Sequence, residues 1–500
     1  MFLINNHNIE NCVIGVIMFI RRGRRLEILS KEQIYRIHLA SMKILENIGV
    51  KVNHEEALKM LDNLGVYVDY RSKKVKISES LVKEVIKKIP SEFTYYGRKT
   101  KLDVRDDYVY YLSGGSPLKV MDLDGNIRNA TLKDLSELVR LYDALNYVDL
   151  IAGTLTPTDI PNELRHLYSF LVKLENTVKP ITVGSLLNDD VCMDVINLAS
   201  IAAGGIEELC RKPIIMAWEN PLSPLSHIKS QVAQILIFAK YHLPILIASA
   251  PQSGSTSPIT LAGTLAQQNA EILSGFVIAY AASEDRGMPP LIYGTAPAVL
   301  DLRYGTMVYG CPESILINIA SVQMARYYGI PCRCTAGSTE SKSIDIQAGY
   351  ETAMTLISVA LAGGNLIMNA TGGAMGPGVD IMSFEKAVID NEIAGYIDRF
   401  LKGIDVDDET LALDVIEEVG SEGHYMTRKH TLKHYKEHYI PVLSDRKPTE
   451  RWLLDRDDIR RKAREMALKI LKEHKPEELD KDVKMEIEKY INEVKSKRLK

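Results

Sequence analysis

The segment 335–351 contains more side chains that could take part in catalysis than the other segments between apolar runs in the sequence. Five of them follow one short apolar run: Lys342, Asp345, Gln347, Tyr350 and Glu351. Amine, carboxylate and phenol groups serve in acid–base and nucleophilic catalysis. Gln347 and Glu351 are four residues apart, so a helix would place them on one face. Each residue alone is more often a hydrogen-bonding group of a loop, but the cluster predicts a reactive centre.

Other apolar runs end in single polar groups, and these are further candidates: Glu219, Asn220, Gln252 and Tyr293. Histidine is scarce there, so neither a histidine-based triad nor a histidine-rich metal site is expected at the run ends. Only Cys332 and Cys334 approach the cysteine spacing of a zinc site. Alternation along a strand would turn both thiols to one face, which favours a buried core pair, and no metal site is predicted.

Short apolar runs alternate with helical segments from about residue 130. Seven are clear: DLIAGTLTP, KPITVGSL, KPIIMAWENP, LPILIASAPQSGS, PPLIYGTAP, IPCRCTAGST and GNLIMNATGGAMG. This alternation is typical of a parallel sheet covered on both faces. With YVYYLSGG or a segment near 421–426 as the eighth strand, the pattern predicts an α/β fold of the TIM type, a (β/α)8 barrel with its working groups at the carboxyl ends of the strands. An open doubly wound sheet is the alternative, but no nucleotide fingerprint follows the first strand.

The barrel is expected at 108–445, between two helical regions. A capping-box pattern at Ser30 and Gln33 opens an N-terminal helical cap at 29–107. Residues 446–500 are highly charged with a thin apolar stripe, and they are predicted to form a helical tail on the barrel or on a neighbouring subunit. A homo-oligomer is expected.

Residues 1–28 do not conform to this pattern. The apolar run 11–20 is too short to cross a bilayer, which takes ~20 residues. The arginines follow that run, whereas a signal peptide carries its positive charges before the run. The segment is interpreted as a translated upstream extension, with Met18 or a later residue as the true start.

Composition excludes some classes of partner. The net charge of -4 gives no basic face for nucleic acid, and no membrane span is predicted. The six cysteines include no C-x-x-C pair, which fits a reducing cytoplasm.

The ends of the predicted strands are rich in Gly, Ser and Thr. Small residues let a backbone approach something large and flat, such as a macrocycle or another protein. The glycines proposed for such a docking face are Gly114, Gly115, Gly254, Gly294, Gly337, Gly372 and Gly373.

Several long motifs resemble the trimethylamine methyltransferase family. They are AGSTESKSIDIQAGYETAMTLISVALAGGNLI at 336–367, SPITLAGTLAQQNAEILSG at 257–275, SPL at 223–225 and SFEKAVIDNEIAGYIDRFLKGIDVDDETLALDVIEEVG at 383–420. The resemblance extends from about Leu29 to the tail. It implies a barrel enzyme that passes a methyl group from a methylated amine to the Co(I) of a separate corrinoid protein, with no cofactor of its own bound permanently.

The resemblance also points to a branch of the family. Well-known members carry pyrrolysine in this loop, and Lys342 with the following D-x-Q-A-G-x-E places that residue at Ser338 here. Tyr350 stands where relatives can carry a histidine. The chain is therefore similar to the branch without pyrrolysine, which includes demethylases of quaternary amines such as glycine betaine.

A quaternary amine suits a site without pyrrolysine because it leaves as a neutral amine and needs no prior activation. Such a site has to hold the N–CH3 bond in line with cobalt and exclude water. The predicted aromatic faces are Tyr293 and Tyr350, each worth ~0.5–2 kcal/mol as a cation–π contact. Glu219 or Asp345 would supply a counter-charge, and Lys342 or Arg333 would meet a substrate carboxylate.

Three alternatives stay open at this point. The substrate could be a tertiary amine of the trimethylamine type. Lys342 could act as the nucleophile of a Schiff-base lyase, although the sequence gives it no apolar pocket. The chain could also be a binding protein that kept the fold and lost the activity, against which the Gly, Ser and Thr strand ends argue weakly.

Overall fold

The computed structural model describes residues 21–23, 25–283 and 286–498. The apolar run 11–20 and the proposed start at Met18 lie outside the described residues. Strand β1 (Arg21–Arg22) pairs antiparallel with Tyr108 and Val109. The Arg21 guanidinium is buried and forms ion pairs with Asp149 at 2.5 Å and Asp398 at 3.1 Å. The folded unit therefore includes the described end of the segment 1–28.

The N-terminal region contains three helices and two small sheets, so it is less purely helical than predicted. Its elements are α1 (Lys31–Lys43), a π-helical turn (Ile44–Ile48), β2 (Val50–Val52), α2 (Glu55–Asn63), β3 (Tyr67–Asp69), β4 (Lys74–Lys76), α3 (Glu79–Lys88), β5 (Phe93–Tyr96) and β6 (Lys101–Val104). The capping box at Ser30 is present, with the Ser30 side chain and the Gln33 side chain each bonded to the other's backbone.

The central region alternates strands and helices. Its elements are β7 (Tyr108–Tyr111), β8 (Lys119–Met121), β9 (Ile127–Asn129), α4 (Leu132–Ala144), α5 (Asn162–Asn176), α6 (Asp189–Ala203), α7 (Ile206–Arg211), β10 (Ala217–Glu219), β11 (Ser226–His227), α8 (Lys229–Lys240), β12 (Ile245–Ser249), β13 (Gln252–Ser253), α9 (Leu261–Ala281), β14 (Leu291–Thr295), β15 (Ala298–Asp301), β16 (Thr306–Val308), α10 (Pro312–Tyr328), β17 (Cys332–Thr335), α11 (Ile346–Ala362), β18 (Leu366–Met368), β19 (Ala374–Met375), β20 (Ile381–Ser383) and α12 (Phe384–Lys402). The predicted α/β class is confirmed.

One seven-stranded sheet organises this region, in the order β1-β7-β18-β17-β14-β12-β10. Every neighbouring pair is parallel except β1 with β7. Beyond β7, isolated parallel bridges join Leu112 to Leu150 and Ile151 to Ile181. Seven predicted runs thus supply strands or bridged segments, and YVYYLSGG supplies another through β7. The alternative strand near 421–426 is a turn.

Alternate side chains of these strands enter two separate cores. One face packs against the helices. The other face forms a second cluster that includes Tyr110, Leu112, Leu150, Trp218, Leu246, Ile292, Leu366 and Met368. Tyr95 and Leu102 of the β5–β6 hairpin belong to this second cluster and cover it near the amino ends of the strands. Apolar residues at successive positions of each strand follow from burial on both faces.

Short helices complete the chain: α13 (Asp408–Leu411), α14 (Leu413–Val419), α15 (Lys429–His434), a 3-10 turn (Tyr435–Glu437), α16 (Thr449–Asp455), α17 (Ile459–Glu473) and α18 (Lys481–Arg498). The predicted apolar stripe of the tail is buried at Ile470, Ile487 and Ile491. Through it, α17 packs on α12 and α4, and α18 packs on α6 and α5. In the part of the chain that the structure describes, no helix combines the length and the apolar character needed to cross a membrane.

Candidate active-site cavity

A cavity of about 480 Å³ lies at the carboxyl ends of the parallel strands. Its walls come from residues on or just after β7, β10, β14, β17 and β18, from the bridged segments near 151 and 181, and from α5. No Asp or Glu is among the described residues that line it. Its charged lining groups are basic: Arg165, Lys173 and Arg333. The cavity is therefore suited to an anionic group.

Arg333 is the central cation of this cavity. It lies on β17 and is only 4% exposed. Its Nη1 donates to the Thr295 carbonyl at 2.8 Å and to Thr335 Oγ1 at 3.0 Å, while its buried Nε has no partner. Burial lowers the pKa of Arg333 to about 10, so it stays charged at neutral pH. No described carboxylate pairs with it, and a buried cation without an anion is costly.

Lys173 is a second buried cation on the cavity wall. It lies on α5, is 5% exposed and donates to the Thr182 carbonyl at 3.2 Å. Burial lowers its pKa to about 8. His166 lies about two turns before Lys173 on the same helix. Burial lowers the pKa of His166 to about 4, so it is neutral at pH 7. Sequence reasoning missed both residues because a lysine or histidine on a helix is ordinarily a surface group.

Aromatic surface is supplied by Trp218 and Tyr309. The Arg333 guanidinium carbon lies 4.6 Å from the centroid of the Trp218 ring. Trp218 Nε1 donates to Asn220 Oδ1 at 3.1 Å, and Asn220 Nδ2 donates to Ser185 Oγ at 3.2 Å. Of the predicted residues, Asn220 and Arg333 line the cavity. Trp218 could have been found from strand alternation, since its neighbours Ala217 and Glu219 face the other way.

Ser338 lies just behind the cavity wall. It is buried, and its Oγ accepts from Asn369 Nδ2 at 3.0 Å. Asn369 Oδ1 accepts from the Gly115 backbone N–H at 2.8 Å, and both Asn369 and Gly115 line the cavity. Asn369 has a φ of 67°. The Ser338 position is therefore connected to the cavity through one side chain.

The rest of the 335–351 cluster holds the loop together. Glu351 is buried and accepts from Thr339 Oγ1 at 2.6 Å, from the Glu340 N–H at 2.8 Å and from Gln347 at 3.0 Å. Asp345 caps α11 by accepting from the Ala348 N–H at 3.0 Å. Lys342 and Tyr350 are exposed. None of these predicted groups lines the cavity, because their hydrogen bonds are directed to the loop and the helix start.

Three other predicted residues also lie away from the cavity. Tyr293 is fully buried on the helix side of β14, where its hydroxyl donates to Asn269 at 3.1 Å. Glu219 is buried against His227, whose Nδ1 lies 3.0 Å away. Gln252 begins the short strand β13, and its Nε2 lies near the Met307 sulfur. Strand alternation explains the placements of Tyr293 and Glu219, since the residue before each of them on its strand faces the cavity or the inner core.

The predicted docking glycines are held mostly by contacts within the protein. A Cβ on Gly294, Gly337, Gly372 or Gly373 would overlap backbone of an adjacent segment, and one on Gly114 would overlap the Met382 side chain. Gly115 and Gly254 have room for a methyl group. Of the seven glycines, Gly115 lines the cavity.

This difference gives a stability prediction. Gly372→Ala should lower the free energy of unfolding by about 3 kcal/mol, because its methyl group would overlap the Gly114 backbone. Gly115→Ala should change the free energy of unfolding by less than about 1 kcal/mol, because the added methyl group would make no such overlap. Chemical denaturation measures both, and equal costs would contradict the packing explanation.

A buried ion pair supports two loops of the cavity rim. Lys386 Nζ donates to both carboxylate oxygens of Asp390, at 2.8 and 2.9 Å, and to the Gly337 carbonyl at 3.4 Å. The Gly373 N–H donates to Asp390 Oδ2 at 2.8 Å. The pair on α12 thereby fixes the loops that follow β17 and β18. An i, i+4 Lys–Asp pair in sequence is more typical of a solvated helix face, so it was missed.

Comparisons with known proteins agree over nearly the whole chain. The model of the trimethylamine methyltransferase (MTTB) family matches residues 5–498. The chain is 35% identical to a glycine betaine methyltransferase of Desulfitobacterium hafniense (strain Y51), covering 93% of this chain and 97% of the relative. It is 31% identical to the trimethylamine methyltransferase MttB of D. hafniense (strain DSM 10664 / DCB-2), covering 93% of each. A solved structure, the monomethylamine methyltransferase MtmB of Methanosarcina barkeri, matches with a TM-score of 0.45 and 14% identity over 90% of this chain and 95% of that one.

Proposed function

Because the chain belongs to the trimethylamine methyltransferase family, and is therefore a methyltransferase, we propose that it takes a methyl group from a quaternary amine that also carries a carboxylate. The acceptor is the Co(I) of a partner corrinoid protein. The relatives named for glycine betaine and for trimethylamine support the methylated-amine class.

The observation that carries the choice of substrate is the charge of the cavity. It holds Arg333 and Lys173 buried without an anion, and no acidic residue is among its described lining. A simple methylammonium cation would be repelled there, whereas a betaine supplies the missing carboxylate. Arg333 is the main anchor, since its unpaired Nε and planar fork suit a carboxylate.

The aromatic rings are proposed to receive the other end of the betaine. Trp218 and Tyr309 offer apolar and π surface for the trimethylammonium group. They take the role first assigned to Tyr293 and Tyr350, because those two rings lie outside the cavity. The carboxylate of the substrate, rather than Glu219 or Asp345, provides the compensating negative charge.

The reaction then needs little from the protein beyond placement. Cobalt supplies the electron pair of the new Co–C bond, the C–N bond breaks, and its electron pair stays on nitrogen as a neutral tertiary amine. No proton has to move. Ser338 offers no electrophile for prior activation of a tertiary amine, and the proposed roles of the protein are orientation and exclusion of water.

We propose that the acceptor approaches the strand-end face, over the rim that includes Gly115. The strand order, the bridges at Leu112–Leu150 and Ile151–Ile181 and the separate inner core support a closed (β/α)8 barrel. Small residues around such an opening allow a macrocycle to come close to the bound methyl group.

Neither the tertiary-amine nor the Schiff-base alternative has comparable support. Trimethylamine has no carboxylate for Arg333, although several relatives are named for it. Lys342 is exposed and lies outside the cavity, so it has no apolar pocket of the kind that activates a Schiff-base lysine. A panel of methylated donors with a Co(I) corrinoid protein, followed by visible absorption, tests the proposal. Methylation of cobalt from betaines is expected, and methylation from trimethylamine alone would contradict it.

A pH prediction follows from Lys173. Since kcat/KM reports the free enzyme, the loss of the Lys173 charge above a pKa of about 8 should lower kcat/KM for a betaine about tenfold between pH 7 and pH 9. Lys173→Met should lower the plateau and flatten this fall, while Lys173→Arg should keep activity at pH 9. His166 is neutral throughout this range, so it does not contribute. An identical fall in Lys173→Met would assign the titration to another group.

A further inference from the structure

Four of the eleven histidines of the chain lie between residues 424 and 438, far in sequence from the cavity loops. Two of them, His430 and His434, are four residues apart on α15. That spacing places both rings on one helix face, and their centroids are 4.4 Å apart. Glu409, on α13, lies against the same face of α15.

The ligand atoms of these three residues converge. One nitrogen of each imidazole and one oxygen of Glu409 all lie within 4.8 Å of one another. His434 Nε2 is 3.1 Å from Glu409 Oε1, and His430 Nε2 is 3.3 Å from the Glu409 carbonyl. We propose that Glu409, His430 and His434 bind a divalent transition metal ion of the zinc type. Two imidazoles with one carboxylate form a common ligand set for this ion.

The other nitrogen of His434 supports this assignment. His434 Nδ1 is hydrogen-bonded to Glu437. A carboxylate on Nδ1 fixes the tautomer and turns Nε2 towards the metal, which is the usual outer partner of a metal-binding histidine. Lys433 Nζ also contacts Glu409 Oε1, at 2.5 Å. Lys433 is 62% exposed at its side chain, so it can turn to solvent when a metal takes its place.

The surrounding segment gives the metal a physical role. The helices α13 and α15 have no buried residues, and α14 has one, Val419. Large apolar side chains of this segment are exposed, among them Leu411, Leu413 and Leu432. With so little core of its own, the segment gains much from a bond that joins residue 409 to residues 430 and 434. The site therefore acts as a structural clip, separate from methyl transfer.

Zinc binding to the chelator-treated, dialysed full-length protein tests the proposal by competition with a chromophoric chelator. We expect one equivalent to bind with a micromolar dissociation constant and Mg²⁺ not to compete. His430→Ala and His434→Ala should each weaken binding at least tenfold. His424→Ala, a matched histidine of the same segment with no part in the cluster, should bind as the wild type does.

Two further readouts separate a real site from incidental binding. Lys433→Met should bind zinc more tightly, several-fold, because it removes the cation that occupies Glu409. Zinc should slow limited proteolysis between residues 404 and 440 in the wild type and leave it unchanged in His430→Ala. Equal loss in His424→Ala, or no binding by the wild type below 100 μM, on the order of the weakest useful structural site, would overturn the proposal.

Discussion

Arg333→Met is expected to lower kcat/KM for a betaine by about 10² to 10³-fold. Removing one partner of a desolvated charge pair costs about 3–5 kcal/mol, and each 1.4 kcal/mol is about tenfold in rate. The loss should fall mainly on donors with a carboxylate. A quaternary amine without one, such as choline, should react no more slowly with the variant than with the wild type, because its cation no longer meets the guanidinium.

Stability distinguishes this substrate effect from misfolding. Arg333 has no carboxylate partner in the described protein, so its removal relieves a buried charge and should leave the midpoint of thermal unfolding within a few degrees. Arg211→Met, on an exposed arginine paired with Glu208, serves as a control that should keep full activity. An equal loss for betaines and choline would show that Arg333 only supports the wall.

Lys386→Met should give the largest stability loss, about 3–5 kcal/mol, because it leaves the Asp390 carboxylate buried without its cation. Both side chains are at most 2% exposed. The loops after β17 and β18 depend on this pair through Gly337 and Gly373, so kcat/KM should fall together with stability. Denaturant titration measures the loss.

The pH dependence of this loss has a definite sign. Burial raises the pKa of Asp390 to about 6, above its unfolded value near 3.8. A carboxyl whose folded pKa is raised loses stability as the pH rises from the unfolded to the folded pKa. Removing Lys386 raises that pKa further. The deficit of Lys386→Met should therefore be larger at pH 8 than at pH 5. Lys133→Met, on an exposed lysine, should show neither effect.

The fold class followed from the sequence because its cause is local. Short continuous apolar runs such as LPILIAS and PPLIYGT are typical of strands that are buried on both faces. These two runs form β12 and β14, which are parallel neighbours in the sheet. The secondary structure of the N-terminal region was predicted less well. The region 29–107 was expected to be helical, but it also contains β-strands of three or four residues, which are too short to be marked by their own sequence and depend on tertiary pairing.

The site was harder to predict because side-chain direction depends on register. The sequence marked Arg333 and Asn220 at strand ends, and both line the cavity. Tyr293 also lies on a strand, but one residue of alternation turns it to the helix side. The 335–351 cluster was predicted to be reactive because it is dense in polar side chains. Glu351 and Asp345 instead accept hydrogen bonds from backbone N–H groups of the same loop and of the start of α11.

The buried lysines on helices α5 and α12 were not marked. Lys173 and Lys386 have the composition of surface positions, and their burial follows only from the packing of α5 and α12 over the strand ends. The catalytic and docking roles of the sequence-derived residues, the domain boundaries and the homo-oligomer stay predictions.

The most direct test of the account follows a labelled methyl group. Glycine betaine, a longer betaine, choline and trimethylamine are each prepared with three CD3 groups on nitrogen. Each donor is incubated separately with the enzyme and a Co(I) corrinoid protein. Mass spectrometry then quantifies the CD3–cobalt product and the demethylated amine. Equal amounts of both products are expected from a carboxylate-bearing quaternary amine, with one CD3 group lost per turnover and with transfer about 10² to 10³-fold slower in Arg333→Met. Transfer from trimethylamine in preference to every betaine, or demethylation without cobalt methylation, would contradict the account.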